Sequence, residues 1–290
     1  MRTLSGRSTH QLPGRKDGQR VYGGQVVGQS LMAASATIDP QFHPHSLHCQ
    51  FISAADKDLP ITYHVIRVRD GRSFCSRIVQ AKQKDLTVFT SQMSFQVEEP
   101  DAICHAKRMP HVPDPENCED ASAFFQRLVN NPESVSPQGR LAADAFRKIL
   151  DLPYIFGIKI INPRYYINMP TDQPQRFAIW VKSLTPLTDK DKHLHHCVAG
   201  FISDVSPIGT PLCANSAAGF QLGMAASLDH SMWIHRHDFR MDDDWVLYET
   251  ESTVGAGGRA LIHGIMWARK TGQMLLSTAQ EILIRAQKTT

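Results

Sequence analysis

The sequence predicts an α+β chain in which one unit, a helix wrapped by an antiparallel meander, is used twice. Three observations carry this. Apolar residues at helical spacing in 21–38 lead into four β-type segments, and the same order returns after residue 153. Each half also places a turn before an equivalent strand, Asp70-Gly71-Arg72 in one and Gly257-Gly258-Arg259 in the other. Letter identity between the halves is low, so the duplication rests on the order of elements.

Taken in order, VYGGQVVGQSLMAASATI (21–38) sets Val26, Val27, Ser30, Leu31 and Ala34 at helical spacing behind a Gly23-Gly24 loop. HSLHCQFI (45–52), PITYHVIRVR (60–69), SFCSRIVQAKQ (73–83) and LTVFTSQMSFQV (86–97) are strand-like, joined in part by Asp70-Gly71 and Lys84-Asp85 turns. Residues 100–152 read as a linker: four prolines between 100 and 115, then helical stretches at 121–129 and 140–151. The second unit takes 153–290, with strands at 153–161 and 176–184 and a helix over 193–206 stopped by Pro207. Further strands are expected at 227–235, 245–253, 259–270 and 274–286. The first unit thus spans 21–99, and residues 1–20 form an N-terminal extension.

A chain of 290 residues, 42% apolar and 20% charged, can bury a substantial core. A net charge of +3 without a basic stripe argues against nucleic acid as a partner. The six cysteines form no C-x-x-C pair, which argues against structural zinc and for free thiols in a reducing compartment. No secretory signal and no apolar run of ~18 residues is present, so neither export nor a membrane span is expected. The opening MRTLSGRSTHQLPGRKDGQR is basic and rich in Ser and Thr, but Pro13 and three glycines oppose an amphipathic targeting helix. The final Lys288-Thr289-Thr290 is not an S-K-L address. HLHHC (193–197) places His193 and His196 one turn apart beside Cys197, yet no acid–histidine motif accompanies them, and no metal or cofactor is expected.

SLDHSMWIH (227–235) holds the residue types of a nucleophilic triad. Read as one strand, it sends Ser227, Asp229, Ser231, Trp233 and His235 to one face and His230 to the other. His235 would lie roughly 26 Å from Ser227 at ~3.3 Å per residue. A triad confined to this segment is excluded, and no G-x-S-x-G elbow is present. Two other polar residues are out of place. Gln280 shares a face with Leu276, Thr278, Ile282 and Ile284. Asp204 falls in the last turn of the 193–206 helix, where a carboxylate opposes the macrodipole. Each has a structural reading, a core hydrogen bond or a solvated turn acid, and a functional one, in which that site tunes basicity.

GGQVVGQ (23–29), HSLHCQF (45–51), SFCSR (73–77), DHSMWIH (229–235) and STAQEILIR (277–285) together closely resemble the acyl-CoA thioesterase II family over about residues 20–286. The resemblance implies a double hotdog fold, an acyl-CoA substrate, assembly as a homodimer or homotetramer, and a peroxisomal or cytoplasmic site of action. It also implies that Asp204, Ser227 and Gln280 form a catalytic set that activates water for direct attack on the thioester. Candidate oxyanion or substrate contacts are the backbone at Gly23 and Gly24 and the His45 side chain.

One departure is visible: the family's opening strand is represented only by RTLSGRS, so the first sheet is expected to carry an unpaired edge. Arg67, Arg69, Arg72, Arg77 and Arg259 are candidates for the CoA phosphates. The competing readings are an enoyl-CoA hydratase of the same fold and a non-catalytic acyl-CoA-binding protein. The hydratase reading expects D-x-x-x-x-H, and the position five residues after Asp204 is Gly209.

Overall fold

The structure, a computed structural model, describes residues 2–6, 20–131, 156–165, 176–188, 193–205, 208–217 and 219–287. The expected helix at 140–151 lies outside them.

In the first half, helix α1 (Gly23–Ser35) is followed by β2 (Phe42–Phe51), β3 (Ile61–Asp70), β4 (Phe74–Gln83) and β5 (Leu86–Val97). Alternation holds along β4, where every second residue from Cys75 to Gln83 is buried. Residues Arg2–Gly6 form β1, which pairs antiparallel with Ile61–Val65 of β3. The edge expected to be open is therefore covered over that stretch. Five residues suffice for this because the ladder bonds are made by backbone, whatever the side chains.

The second half contains β7 (Phe156–Ile160), β8 (Arg176–Ser183), α3 (Leu194–Ser203), α4 (Gly209–Ala217), β9 (Leu222–Ser227) and β10 (Asp229–Ile234). It is completed by β11 (Val246–Ala256), β12 (Arg259–Ala268) and β13 (Met274–Ala286). Between the halves, α2 (Ala121–Asn130) is capped by Asp120, which accepts N–H bonds from Ser122 and Ala123, and β6 (Glu119–Asp120) joins β7. The proline-rich stretch is fastened to the second half: Trp180 Nε1 donates to the Pro113 carbonyl at 2.8 Å, and Arg269 pairs with Glu116.

The strands form one sheet in the order β1-β3-β4-β5-β2-β10-β13-β12-β11-β8-β7-β6, with β9 also on β13. The two meanders are fused by β2 and β10, antiparallel from Ser46↔Trp233 to Gln50↔Asp229. The helices run against each other at backbone distance. A Cβ on Gly24 would lie 2.2 Å from the Phe201 carbonyl oxygen, and one on Gly28 2.7 Å from that of Cys197. Glycine at these two positions brings the start of α1 against the end of α3, and this contact builds the site. Among the described residues, no helix is long and apolar enough to cross a membrane.

Candidate active site

The two helix ends that meet here are each incomplete alone. Helix α1 has no side-chain cap and no acid in its first turn, and α3 has no base in its last. Asp204, the C-cap of α3, meets both conditions badly for one helix and well for the other. It opposes the α3 dipole but stands at the positive start of α1, and the Gly24 N–H donates to its carboxylate. Gly23 lies against it, close enough that a Cβ would sit 2.7 Å from Oδ2. The absence of a side chain at residue 23 leaves that oxygen room.

Gln280 projects from β13 into the same space, alongside Leu276, Thr278 and Ile282, on the inward face that alternation assigns it. Its Nε2 donates to Asp204 Oδ1 at 2.8 Å and to Ser227 Oγ at 2.7 Å. Ser227 Oγ stands 3.5 Å from Asp204 Oδ1. The three sequence-predicted residues thus converge from α3, β9 and β13. Burial pushes the Asp204 carboxyl up to about 6, against the bonds from Gln280, Gly24 and Ser227, which favour the ionised form. The result is a carboxylate ionised at neutral pH yet more basic than an exposed one.

SLDHSMWIH is not one strand. Between the pairs Ser227↔Ile282 and Ser231↔Ala279, the β9–β10 side advances four residues while β13 advances three. This is a β-bulge at Leu228, and it inverts the face of every later side chain. Ser227 therefore shares the inward face with His230, contrary to the uninterrupted alternation expected above. Asp229 turns away and accepts the Glu281 N–H at 2.8 Å, replacing the ladder acceptor that the bulge removes. His230 is fully buried: Nδ1 is 2.8 Å from Gln280 Oε1 and Nε2 is 2.8 Å from Ser203 Oγ. Tyr248 OH in turn donates to the Ser203 carbonyl at 2.6 Å. His230 was missed as a member of the network because a bulge leaves no mark in residue type.

The other candidates fall elsewhere. His45 bonds Ser94 Oγ at 2.8 Å and packs on the Phe74 ring. It lies five residues along β2 from Gln50, the partner of Asp229, or about 17 Å at ~3.3 Å per residue. The structure does not bring it to Asp204. Of the candidate arginines, Arg77 is buried with all five N–H groups used, on Thr37 Oγ1 and O, Arg69 O, Ser76 O and Asp70 Oδ1. None is left for a phosphate. Arg259 pairs with Glu281 at 2.8 Å. The HLHHC rings are interior: His196 packs on His193, His237 and Phe239. Among the described residues, no group of His, Cys, Asp and Glu is arranged to hold a metal ion.

Two helices inside a continuous wrapped sheet, with an acid–amide–hydroxyl set where they meet, define a double hotdog protein. A protein of unknown function with a hot dog fold from Alicyclobacillus acidocaldarius superposes with a TM-score of 0.73 at 16% identity, over 99% of this chain and 94% of that one. The chain belongs to the acyl-CoA thioesterase family: residues 12–96 match the model of the acyl-CoA thioesterase N-terminal domain and 132–284 that of the C-terminal domain. It is 37% identical to acyl-coenzyme A thioesterase 8 of Mus musculus over 267 residues, 92% of this chain and 81% of that protein. The crystal structure of the acyl-CoA thioesterase II TesB2 from Mycobacterium marinum superposes with a TM-score of 0.72 at 31% identity, covering 93% and 91% of the two chains.

Proposed function

We propose that the chain hydrolyses fatty acyl-CoA to free fatty acid and CoA, with Asp204, Ser227 and Gln280 activating a water that attacks the thioester directly. The observation that carries this reading is the convergence of the three on a carboxylate whose burial raises its basicity to about 6. Asp204 orients the water and takes its proton. Gln280 uses one N–H on Asp204 and the other on Ser227 Oγ, and the Ser227 hydroxyl turns its hydrogen from the long 3.5 Å bond to Asp204 Oδ1 onto the water when water binds. Ser227 is then a positioner, since among the described residues its Oγ meets Gln280 and Asp204 and no imidazole that would deprotonate it for attack. The Gly24 N–H is committed to Asp204. The Gly23 N–H, which the first helical turn leaves without an intrahelical acceptor, is the remaining backbone donor for the oxyanion.

The outer sheet face keeps Ile66, Val68 and Phe74 exposed, which supports pairing of two copies into a homodimer or homotetramer; sedimentation equilibrium reads the mass. The mechanism is tested by thiol release from acyl-CoA together with intact mass during turnover. Release without any acyl adduct on Ser227 is expected. A trapped acyl-Ser227 ester overturns direct attack by water, and absence of thiol release at every chain length overturns the activity.

A further inference from the structure

His230 stands behind Gln280 as seen from Asp204, and the reaction above does not use it. Its bonds nevertheless leave the Gln280 amide one workable orientation. With Nε2 toward Asp204 Oδ1 and Ser227 Oγ, every contact pairs a donor with an acceptor. Turned by half a revolution, the amide would set Oε1 against an ionised carboxylate at 2.8 Å. In the workable orientation Oε1 faces His230 Nδ1 at 2.8 Å, so Nδ1 must carry a proton. A neutral imidazole protonated there accepts at Nε2, and Ser203 Oγ–H, 2.8 Å away, is the donor. The Ser203 hydroxyl also lies 2.9 Å from the Gly200 carbonyl. If it donated there and accepted from an Nε2–H, the bare Nδ1 would face Oε1, two acceptors in contact. The same rule excludes that arrangement.

We propose that His230 is a positioning residue: as the neutral Nδ1–H tautomer, fed by Ser203 Oγ–H, it holds the Gln280 amide with its NH2 group toward Asp204 and Ser227. The inference rests on reading those three residues as the water-holding set. Full burial keeps the ring neutral, lowering its pKa to about 4, so the tautomer persists across the neutral range. The polarity then runs one way, from the Ser203 hydroxyl through the ring and the amide to the carboxylate. Without the Nδ1 donor the amide can turn, and in the turned state it presents an oxygen where Asp204 and Ser227 need N–H.

The tautomer is measured directly on the wild-type protein by 15N–1H correlation of labelled histidine, with His230 assigned from the signals lost in His230→Asn. Nδ1–H with bare Nε2 is expected; the reverse tautomer, or an imidazolium at pH 7, overturns the proposal. Kinetics supply the second arm. His230→Leu removes the donor and is expected to lower kcat on the order of 10²-fold, as a misplaced catalytic group does, with KM nearly unchanged. His230→Asn, whose side-chain N–H falls near the position of Nδ1, is expected to recover most of that loss. Equal rates for the two variants, or a His230→Leu protein with wild-type kcat, overturn the proposal. Asp204→Asn run alongside separates two failures. Full turnover in that variant sinks the water-holding reading itself. A slow Asp204→Asn beside a fully active His230→Leu sinks only the positioning role.

Discussion

The two long helices end in opposite ways. Beyond the C-cap of α1, the Thr37 carbonyl is met by the buried guanidinium of Arg77, which also holds Thr37 Oγ1 and Asp70. At the C-cap of α3 itself the chain places a carboxylate, Asp204. A cation at a helix C-terminus is favourable and an anion is not. The first half thus completes its helix end for stability. The second half keeps an end that is costly by itself and sets it against the start of α1, where Gly24 and Gln280 hold it ionised. The difference between structural support and chemistry is one of charge sign at the C-terminal ends of the two helices.

Exchanging the properties of the two ends breaks the comparison most severely at Asp204. Asp204→Asn is expected to lower kcat/KM by ~10²–10⁴, the range of a lost general base, measured by thiol release from acyl-CoA. Its Tm should be equal to or above wild type at pH 7. The carboxyl is raised from 3.8 to about 6 by folding, so its contribution favours the folded chain at low pH and is lost as pH rises through 6. At neutral pH an amide removes a buried charge.

Arg77→Met should do the reverse. Asp70 is exposed and is left in water, but removing the buried guanidinium orphans the buried Thr37 O and Oγ1 at about 1–3 kcal/mol per acceptor, read as a lower urea midpoint, with kcat of the folded fraction unchanged. Gly24→Ala tests the contact that joins the two ends. An added methyl 2.2 Å from the Phe201 oxygen must part the helices. We expect a loss of about 1–3 kcal/mol, the cost of overpacking, together with reduced kcat, because the Gly24 N–H is drawn away from Asp204.

The smallest effect concerns a second buried histidine. His196 is buried like His230, but neither ring nitrogen has a hydrogen-bond partner among the described residues. Burial, with four neighbouring histidines, lowers its pKa from 6.5 to about 3. The unfolded chain then takes up this proton first, so stability present above about 6.5 is lost as pH falls toward 3. His196→Leu should therefore reduce the drop in Tm between about pH 7 and pH 5 in thermal melts; an unchanged drop would assign that loss to other groups.

Much of this is legible in the sequence. Alternation along MLLSTAQEILIRA put Gln280 inward, and the helical spacing of 193–206 put Asp204 at a helix end. Those are local properties of one element, and sequence periodicity encodes them. The junction of α1 with α3 was not legible, since Gly24 and Gly28 show their role only against the carbonyls of Phe201 and Cys197. The bulge at Leu228 was not legible either. It reversed the expected face of Ser227 relative to His230 and turned Asp229, the more suggestive letter, into the residue that pins the strand. Register is a relation between strands, and SLDHSMWIH alone does not contain it.

If the carboxylate at the end of α3 is the base that activates water, the rate must follow its ionisation. The pH dependence of kcat/KM for acyl-CoA, in wild type and in Asp204→Asn, addresses it most directly. The wild-type profile should rise to a plateau with a midpoint near 6, the value burial gives Asp204, and the variant should show a far lower profile without that step. An Asp204→Asn enzyme that keeps both the rate and the step would contradict it.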